Sequence, residues 1–425
     1  MREILFPYGK EKLAYTFEEA ELAGVLTTEL EHYVPAGSPA QLVEKALQDP
    51  IGSPCLAELA RGKKNIVIIA SDHTRPVPSK VILPPMLRQI RESSPNANIT
   101  ILIATGCHRG TTKQELIDKF GPEIVEKEHI YIHDCDEREK LRNIGTLPSG
   151  GACEINTIAL DADLLLAEGF IEPHFFAGFS GGRKSVLPGI AGRTTVLSNH
   201  CAEFIDSPYA RTGVLEGNPI HEDMLWAAKR AKLAFIVNVV LDGEKNAIYA
   251  VAGDPEKAHA AGVAFLTSLC GAKAVPADVV ITTNGGYPLD QNMYQAVKGM
   301  TAAEATVKEG GVIIMLAKSN DGIGGDHFYH QLADEPDIGK TMALFLSRGR
   351  KETVPDQWQT QILLRILQRN KVVYVSEMDE ETVRKMHMTP AHSIEEALKI
   401  ARQLLGKEEI QIAAIPDGVS VIVRQ

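Results

Sequence analysis

Short runs of apolar residues, many of them β-branched, alternate along this chain with longer stretches in which apolar residues recur at helical spacing. The short runs are typical of strands buried on both faces of a sheet, and the longer stretches are typical of helices that connect parallel strands. The runs predicted to be strands are 64–70, 99–104, 129–133, 154–159, 164–167, 235–241, 247–251, 311–316 and 371–376. The stretches predicted to be helices include 80–91, 112–120, 222–231, 358–367 and 393–405. The alternation predicts an α/β protein.

Cap and turn residues sharpen some of these boundaries. Thr112 with Glu115, and Ser393 with Glu396, form Ser/Thr-x-x-Glu patterns that mark the first turns of two helices. A hairpin is predicted about Gly9. We also predict a hairpin for the last two apolar runs, 410–415 and 419–423.

The length of 425 residues is too great for one ordinary hydrophobic core and predicts two domains. The run 276–286 repeats the pattern of an apolar strand leading to glycines, which favours a boundary shortly before it. We therefore expect two α/β domains with the active-site cleft between them. Their expected ranges are 1–272 and 273–408, and the tail, 409–425, is expected to return to the first domain.

Composition excludes several classes of function. The chain has 44 Lys+Arg against 55 Asp+Glu, a net charge of -11, and no basic cluster, which argues against a nucleic-acid partner. We see neither a signal peptide nor a run of about 18 apolar residues, so we expect a cytoplasmic protein without a membrane partner. The six cysteines form no C-x-x-C pair, so neither a zinc ribbon nor a disulfide framework is indicated.

Polar side chains follow two of the predicted strands directly. Asp72, His73, Thr74 and Arg75 come after the strand 64–70, and His108 comes after the next one. Ligands of α/β proteins bind at the carboxyl ends of strands, so these residues stand where function is expected. A capping turn with a surface arginine explains the first group equally well.

The most unusual stretch, 163–200, is rich in glycine and carries His174, Lys184 and His200. Glycines allow close approach or positive φ, while imidazole and amine groups supply proton transfer, metal ligation or nucleophilic nitrogen. We interpret this stretch as a reaction centre. In the second half, Gln295 and Lys298 are three residues apart on a predicted helix, so both point from one helical face towards a strand end.

Three familiar motifs are matched incompletely. Residues 178–182 read G-x-S-x-G around Ser180, but the preceding strand ends about ten residues too early for a serine-hydrolase elbow. A serine hydrolase is therefore a second choice. Arg183 occupies the position that must be glycine in a phosphate-binding loop, and none of His108, His174 and His200 is paired at the i, i+4 spacing of a helical zinc site. A metal bound by protein groups alone is not indicated.

The remaining residues suit proton transfer on both faces of a small anion. Two imidazoles from different loops would transfer protons, and Arg75 and Lys298 would hold a carboxylate. A racemase needs this two-sided access. The α-carbon of a hydroxy acid is too weakly acidic for imidazole alone, so a hydride-accepting cofactor would be required, which the residues themselves do not name.

Taken together, these residues closely resemble the nickel-dependent lactate racemase family over nearly the whole chain. The segments that carry the resemblance are Asp72-His73-Thr74-Arg75, His108, Glu172-Pro173-His174, the glycine-rich run to Lys184, Ser198-Asn199-His200 and Tyr294 to Lys298. The resemblance implies a nickel cofactor, the Ni(II)-pyridinium-3,5-bisthiocarboxylic acid mononucleotide or pincer nucleotide, attached covalently to Lys184. It also implies that His200 ligates the nickel.

The resemblance implies an isomerase that interconverts L- and D-lactate by hydride transfer to and from the cofactor through a bound pyruvate. His108 and His174 would be the alternating acid and base. The residues expected to bind the cofactor are Asp72, His73, Thr74, Arg75, Lys184, Gln295 and Lys298, and those expected to bind the substrate are Arg75, Tyr294, Lys298 and Trp358. Another 2-hydroxy acid as substrate, or a cofactor carrier without turnover, remains an alternative. The family also implies cofactor-maturation proteins as partners, and a homodimer is left open.

Overall fold

The computed structural model describes residues 1–424 and contains two six-stranded sheets, each with helices packed against it. The strands are β1 (Arg2–Tyr8), β2 (Glu11–Phe17), β3 (Leu22–Val25), β4 (Asn65–Ser71), β5 (Asn98–Ala104), β6 (His129–Ile132), β7 (Leu141–Thr146), β8 (Ala152–Asn156), β9 (Leu164–Phe170), β10 (Pro173–His174), β11 (Gly178–Phe179), β12 (Leu233–Leu241), β13 (Ala247–Gly253), β14 (Gly271–Lys273), β15 (Ala277–Thr283), β16 (Val307–Leu316), β17 (Lys371–Val375), β18 (Thr389–Ala391), β19 (Ile412–Ile415) and β20 (Ile422–Arg424).

The helices connect these strands and cover the sheets. They are α1 (Pro39–Gln48), α2 (Leu56–Ala60), α3 (Ser79–Ser93), α4 (Lys113–Phe120), α5 (Pro122–Lys127), α6 (Thr157–Leu160), α7 (Arg193–Asn199), α8 (Ala202–Asp206), α9 (Pro219–Arg230), α10 (Lys257–Cys270), α11 (Met293–Glu304), α12 (Asp326–Ala333), α13 (Ile338–Ser347), α14 (Gln357–Arg369), α15 (Glu380–Lys385) and α16 (Ile394–Leu405). Short 3₁₀ turns lie at Leu30–His32, Arg138–Lys140 and Gly182–Ser185.

The first sheet has the order β13-β12-β9-β4-β5-β6. Its strands are parallel except for β13, which is antiparallel to β12. Strand β9 lies near the centre, and all seven of its residues are buried. Apart from Glu168, its residues are apolar or glycine, which suits a strand covered on both faces.

The second sheet has the order β18-β17-β16-β15-β19-β3, and all of its neighbours are parallel. Strand β3 reaches it from the start of the chain. The predicted hairpin about Gly9 is confirmed as β1 and β2, and its Phe6 and Phe17 pack in one core with Val279 and Val312 of the second sheet. The first 25 residues therefore lie with the second sheet rather than with the first.

Two predictions about strands are wrong, one for the tail and one for residues 154–159. The tail is not a hairpin, because β19 is parallel to β15 and β3, whereas β20 is parallel to the distant β14. Since β19 lies in the second sheet, this part of the tail does not return to the first. The strand predicted over 154–159 ends at Asn156, whose side chain accepts from Ile158 N and begins helix α6.

The two predicted helix caps are both present, although they differ in detail. Thr112 and Glu115 form a complete capping box at α4. Ser393 accepts from Glu396 N at α16, but the Glu396 carboxylate accepts from the backbone of His392 instead of closing the box.

The carboxyl ends of β4, β5 and β9 lead into the loops that carry the predicted site residues. Side chains also join the parts of the chain around the two sheets: Gln361 Nε2 donates to Ala202 O over 2.9 Å, and Arg350 pairs with Glu203 at 2.7 Å. Across residues 1–424 we find no helix with the length and apolar character needed to cross a membrane.

Candidate active site

His108 and Asp72 form the most strongly connected pair of the site. Asp72 is 1% exposed, and its Oδ2 lies 2.7 Å from His108 Nδ1. Its other oxygen accepts from Thr74 N and Thr74 Oγ1 at 3.1 and 2.6 Å. A carboxylate only accepts hydrogen bonds, so Nδ1 of His108 carries the proton and the neutral ring has its lone pair on Nε2. Burial alone raises the pKa of Asp72, but the His108 hydrogen bond and the positive charges of His108 and Arg75 lower it to about 2.

Arg75 joins this pair through a hydroxyl group. Its NH1 donates to Thr74 Oγ1 over 2.8 Å, and that hydroxyl donates in turn to Asp72. The structure therefore brings Asp72, Thr74, Arg75 and His108 together. His73 points elsewhere: its Nδ1 lies 3.0 Å from Thr111 Oγ1, and its assignment to cofactor binding stays a prediction.

His174 and Lys184 meet within the glycine-rich loop. The Nζ of Lys184 lies 3.5 Å from His174 Nε2, and the Nδ1 of His174 accepts from Ala177 N over 3.3 Å. The imidazole also stacks on the Phe175 ring. These contacts fix the ring plane of His174 and aim its Nε2 at the amine.

The glycines of this loop are needed for packing against other parts of the protein. Gly178 has a φ of 77°, and a Cβ there would lie 2.2 Å from Val214 O. Gly181 has a φ of 78°, and its Cβ would lie 2.8 Å from Phe170 O. Both positions combine a left-handed backbone with a close approach that only glycine tolerates. Their role is therefore to fold the loop, which is the positive-φ role that the sequence allowed beside close approach to a ligand.

His200 follows α7 and is enclosed by aromatic rings. It is 5% exposed and lies 5.1 Å from the ring centres of both Phe176 and Trp358. Burial and the charge of Lys184 lower its pKa to about 3, so the imidazole is neutral. Its buried Nδ1 has no hydrogen-bond partner among residues 1–424. Such an orphaned nitrogen is free to interact with a bound group.

Helix α11 follows β15 of the second sheet and carries Gln295 and Lys298. Lys298 Nζ lies 5.8 Å from the centre of the Phe175 ring. Burial and Arg75 lower the pKa of Lys298 to about 8, against the opposing effect of Glu172. Gln295 is half-buried in the first turn of this helix.

Tyr294 lies beside Lys298 on α11, and its ring packs edge-on against Phe328. Burial and the charge of Asp356 raise the pKa of its hydroxyl group. Trp358 packs edge-on against the ring of His200. The assignment of Tyr294 and Trp358 to the substrate pocket stays a prediction.

The site concentrates positive charge in a buried space. The pKa of Lys184 is far below its usual value because of burial and the neighbouring charges of Arg183, Arg75 and Lys298. The pKa of His174 is also far below its usual value because of burial and then Lys184, Lys298 and Arg75. A small anion is the ligand that such a site favours, because it offsets these charges.

Two site residues were not predicted as such from the sequence. Glu172 is a buried carboxyl group whose pKa is raised by burial and lowered in part by Lys298 and Arg75. Arg183 is 2% exposed and donates to Ala177 O over 2.8 Å and to His221 Nδ1 over 2.9 Å. The position of Glu172 directly before Pro173 at a strand end was a usable signal, whereas no local pattern marked Arg183.

The serine of the G-x-S-x-G match is not free to react. Ser180 Oγ donates to Phe170 O over 3.0 Å and accepts from Glu172 N over 2.9 Å. A nucleophilic serine needs a base within reach of its proton. Here both contacts of the hydroxyl are to backbone, which argues against the hydrolase alternative.

Two imidazoles, a lysine of lowered pKa and the cations Arg75 and Lys298 are groups typical of an acid–base enzyme that acts on a small anion. Residues 8–213 match the family model described as the lactate racemase N-terminal domain, and residues 272–423 match that of the lactate racemase C-terminal domain. The chain belongs to the lactate racemase family.

Two named relatives match this chain over its full length. The chain is 55% identical to a lactate racemase of Thermoanaerobacterium thermosaccharolyticum and 52% identical to one of Lactiplantibacillus plantarum, with 100% of each chain covered. The structure of the lactate racemase apoprotein from T. thermosaccharolyticum superimposes with a TM-score of 0.97 over 100% of both chains. A Thermotoga maritima protein of 18% identity, with a TM-score of 0.66 over 92% of this chain, shares the fold.

Proposed function

We propose that this chain interconverts L- and D-lactate. The observation that carries the proposal is the meeting of His174 and Lys184, 3.5 Å apart, in a cleft that also holds Arg75 and Lys298. Full-length relatives named lactate racemase support lactate as the substrate. A racemase for a different 2-hydroxy acid would use the same groups, so rates on several such acids decide between the two.

Arg75 and Lys298 hold the anionic groups of the ligands in this proposal. Arg75 is tied to Thr74, so its guanidinium is pre-oriented. An anion bound by Arg75 and Lys298 offsets the charges that lower the pKa of His174, and therefore moves that pKa up towards the working range of an acid–base catalyst.

His108 and His174 transfer the hydroxyl proton. Nε2 of His108 has the free lone pair in the tautomer set by Asp72, so it accepts the proton from one enantiomer. Asp72 stabilises the charged ring that results. His174 serves the other enantiomer from the glycine-rich loop, and each residue returns its proton in the reverse direction.

The residues present fit the nickel pincer nucleotide. His200 is neutral, and its buried Nδ1 is orphaned, which suits an imidazole that ligates a divalent transition metal such as nickel. Lys184 has a lowered pKa and is therefore a nucleophilic amine suited to covalent attachment. When bound, the cofactor supplies an acceptor for the hydride that leaves the α-carbon of the substrate. Asp72, Thr74, Arg75, Gln295 and Lys298 would hold it, and separate maturation proteins would assemble it.

The division of labour between the two parts of the chain is also a proposal. The segment 1–272 carries the catalytic and cofactor-binding groups, and 273–408 supplies Tyr294, Gln295, Lys298 and Trp358 from across the cleft. The first 25 residues and β19 belong structurally with the second part.

The test uses protein matured with its cofactor. We expect about one nickel per chain, an added mass on Lys184, and racemisation that Lys184→Ala abolishes and Ser180→Ala retains. The hydrolase alternative predicts the reverse pattern in an ester assay. A carrier without turnover predicts nickel binding but no reaction on any 2-hydroxy acid, and that result would refute the proposal.

A further inference from the structure

Glu168 is a buried carboxylate at the centre of the first sheet, one strand away from the Asp72 loop. It is 1% exposed on β9. Its Oε1 accepts from Ser71 N and Ser71 Oγ at 3.0 and 3.3 Å, and Ser79 Oγ lies 3.1 Å from both of its oxygens. Since Ser71 ends β4 and Ser79 begins α3, one carboxylate binds both ends of the loop 72–78.

Lys119 of helix α4 holds the middle of the same loop. Its Nζ donates to the backbone oxygen of Arg75 over 2.9 Å. Burial lowers the pKa of Lys119, while the negative charges of Glu168 and Asp72 raise it. The loop is thus attached at its two ends to Glu168 and at Arg75 to Lys119.

An ionic group at this place is costly unless it has a role. Removing a carboxylate from water costs several kcal/mol even after relaxation. Burial raises the pKa of Glu168, and Lys119 and the two serines oppose this effect. A neutral side chain could connect β9 to α3 at lower cost. The loop that this carboxylate holds carries Asp72, Thr74 and Arg75, whose geometry decides the orientation of His108.

We propose that Glu168, together with Lys119, is a positioning residue that fixes the loop 72–78 so that Arg75 and the Asp72–His108 pair are aligned for the reaction. The inference rests on the proposed function for its catalytic part. Displacement of reacting groups by about 1 Å costs about 100-fold in rate, so a small release of this loop is expected to be visible in turnover.

The test compares Glu168→Gln, Lys119→Met and Lys119→Arg with the control Asp163→Asn. Asp163 is a matched control because it accepts from Lys64 N and Asn65 N, at the opposite end of β4. Two measurements are made on the full chain: hydrogen–deuterium exchange of the amides 71–79 before cofactor loading, and kcat and KM for lactate after loading, expressed per nickel bound.

We expect Glu168→Gln and Lys119→Met to speed exchange of the amides 71–79 at least about tenfold and to lower kcat per nickel by about 10- to 100-fold. Lys119→Arg should keep amide exchange and kcat per nickel close to wild type, because arginine keeps the donor and the charge. Asp163→Asn should lower the urea midpoint without changing either readout. Variants that keep wild-type exchange and wild-type kcat per nickel would overturn the inference.

Failure of the proposed function is distinguishable from failure of this inference. A wild-type protein that binds nickel without racemising lactate would count against the function, and exchange of the amides 71–79 would still decide whether Glu168 holds the loop. A loss of activity that disappears when rates are expressed per nickel would show a merely structural role and would overturn the positioning claim.

Discussion

Asp72 is the residue on which the chemistry of His108 depends most directly. It is almost fully buried, accepts from the ring at 2.7 Å, and has a pKa lowered to about 2. An asparagine of the same size would present an amide that can donate, so the His108 ring would lose both its fixed tautomer and the charge that stabilises its protonated form.

We therefore expect Asp72→Asn to lower kcat for lactate by at least about 100-fold, within the range of general acid–base contributions. Chiral analysis of lactate over time measures this effect, with nickel content checked in parallel. The matched control is Asp136→Asn, which breaks an exposed pair with Arg193 at 2.7 Å and should stay within about twofold of wild type. An Asp72→Asn enzyme of normal rate would show that the pair does not orient the base.

Three of the residues that the sequence identified lie shortly after an apolar strand. Asp72, His108 and His174 follow β4, β5 and β9, so their place at one sheet edge could be expected from the strands that precede them. Glu168 and Arg183 could not, because Glu168 binds Ser71 and Ser79, and Arg183 binds His221 and His259 as well as nearby carbonyl groups. These side-chain partners lie far away in the chain. A carboxylate inside an apolar run carries no local signal of the hydroxyl groups that will satisfy it.

At the scale of elements, the N-terminus of helix α11 presents the second half of the site. Asn292 caps this helix, and its Oδ1 accepts from Gln295 N over 3.0 Å. Tyr294 is held there as well, because its N–H donates to Ile323 O and its carbonyl accepts from Gln359 Nε2. The cap therefore sets the direction of the turn that carries Tyr294 and Gln295.

We expect Asn292→Ala to reduce the free energy of unfolding by about 1 kcal/mol and to raise KM for lactate several-fold, because the first turn loosens. Urea unfolding and steady-state kinetics measure the two effects. Ser393→Ala removes a cap of the same kind at α16, away from the cleft, and should cost similar stability at unchanged KM. Equal effects on KM from both variants would mean that only global stability was altered.

The tail shows why some elements were not predictable. Two apolar runs around Pro416-Asp417-Gly418 have the composition of a hairpin turn. Asp417 does fold the turn, accepting from Val419 N and Ser420 Oγ, but Gly418 N donates to Thr283 O. The two runs then find partners in different sheets. Pairing with distant strands is decided by tertiary packing, which a local pattern does not contain.

At the scale of the whole molecule, buried histidines make stability depend on pH. His259 is 4% exposed, and burial followed by the charge of Arg183 lowers its pKa to about 3 from 6.5. Between these values the unfolded chain binds a proton that the folded chain does not. The stability contributed by neutral His259 is therefore complete above about pH 6.5 and falls as the pH decreases.

We expect His259→Gln to reduce the slope of unfolding free energy against pH by about 1.4 kcal/mol per pH unit between pH 6 and 4. Urea unfolding of the unloaded chain at several pH values measures the slope. Between pH 7 and 8 the difference in stability between variant and wild type should be constant. A slope that is unchanged below pH 6 would mean that His259 is protonated in the folded chain.

Both halves of the chain contribute to the surroundings of His174, because Lys184 and Arg75 from the first half and Lys298 from the second lower its pKa. The sequence led us to expect contributions from both halves because polar groups followed apolar strands in each. It could not predict that the first 25 residues join the second sheet, since β3 pairs with β19 across nearly the full length of the chain.

The most direct test of the proposed function follows the α-hydrogen of lactate. Nickel-loaded protein is incubated in D₂O with L-lactate and, separately, with D-lactate. The account predicts that both reactions reach the same near-equal mixture of enantiomers, and that the product keeps its original α-hydrogen because a hydride is removed and returned. Deuterium at the α-carbon of the product, or no inversion by protein with about one nickel per chain, would contradict it.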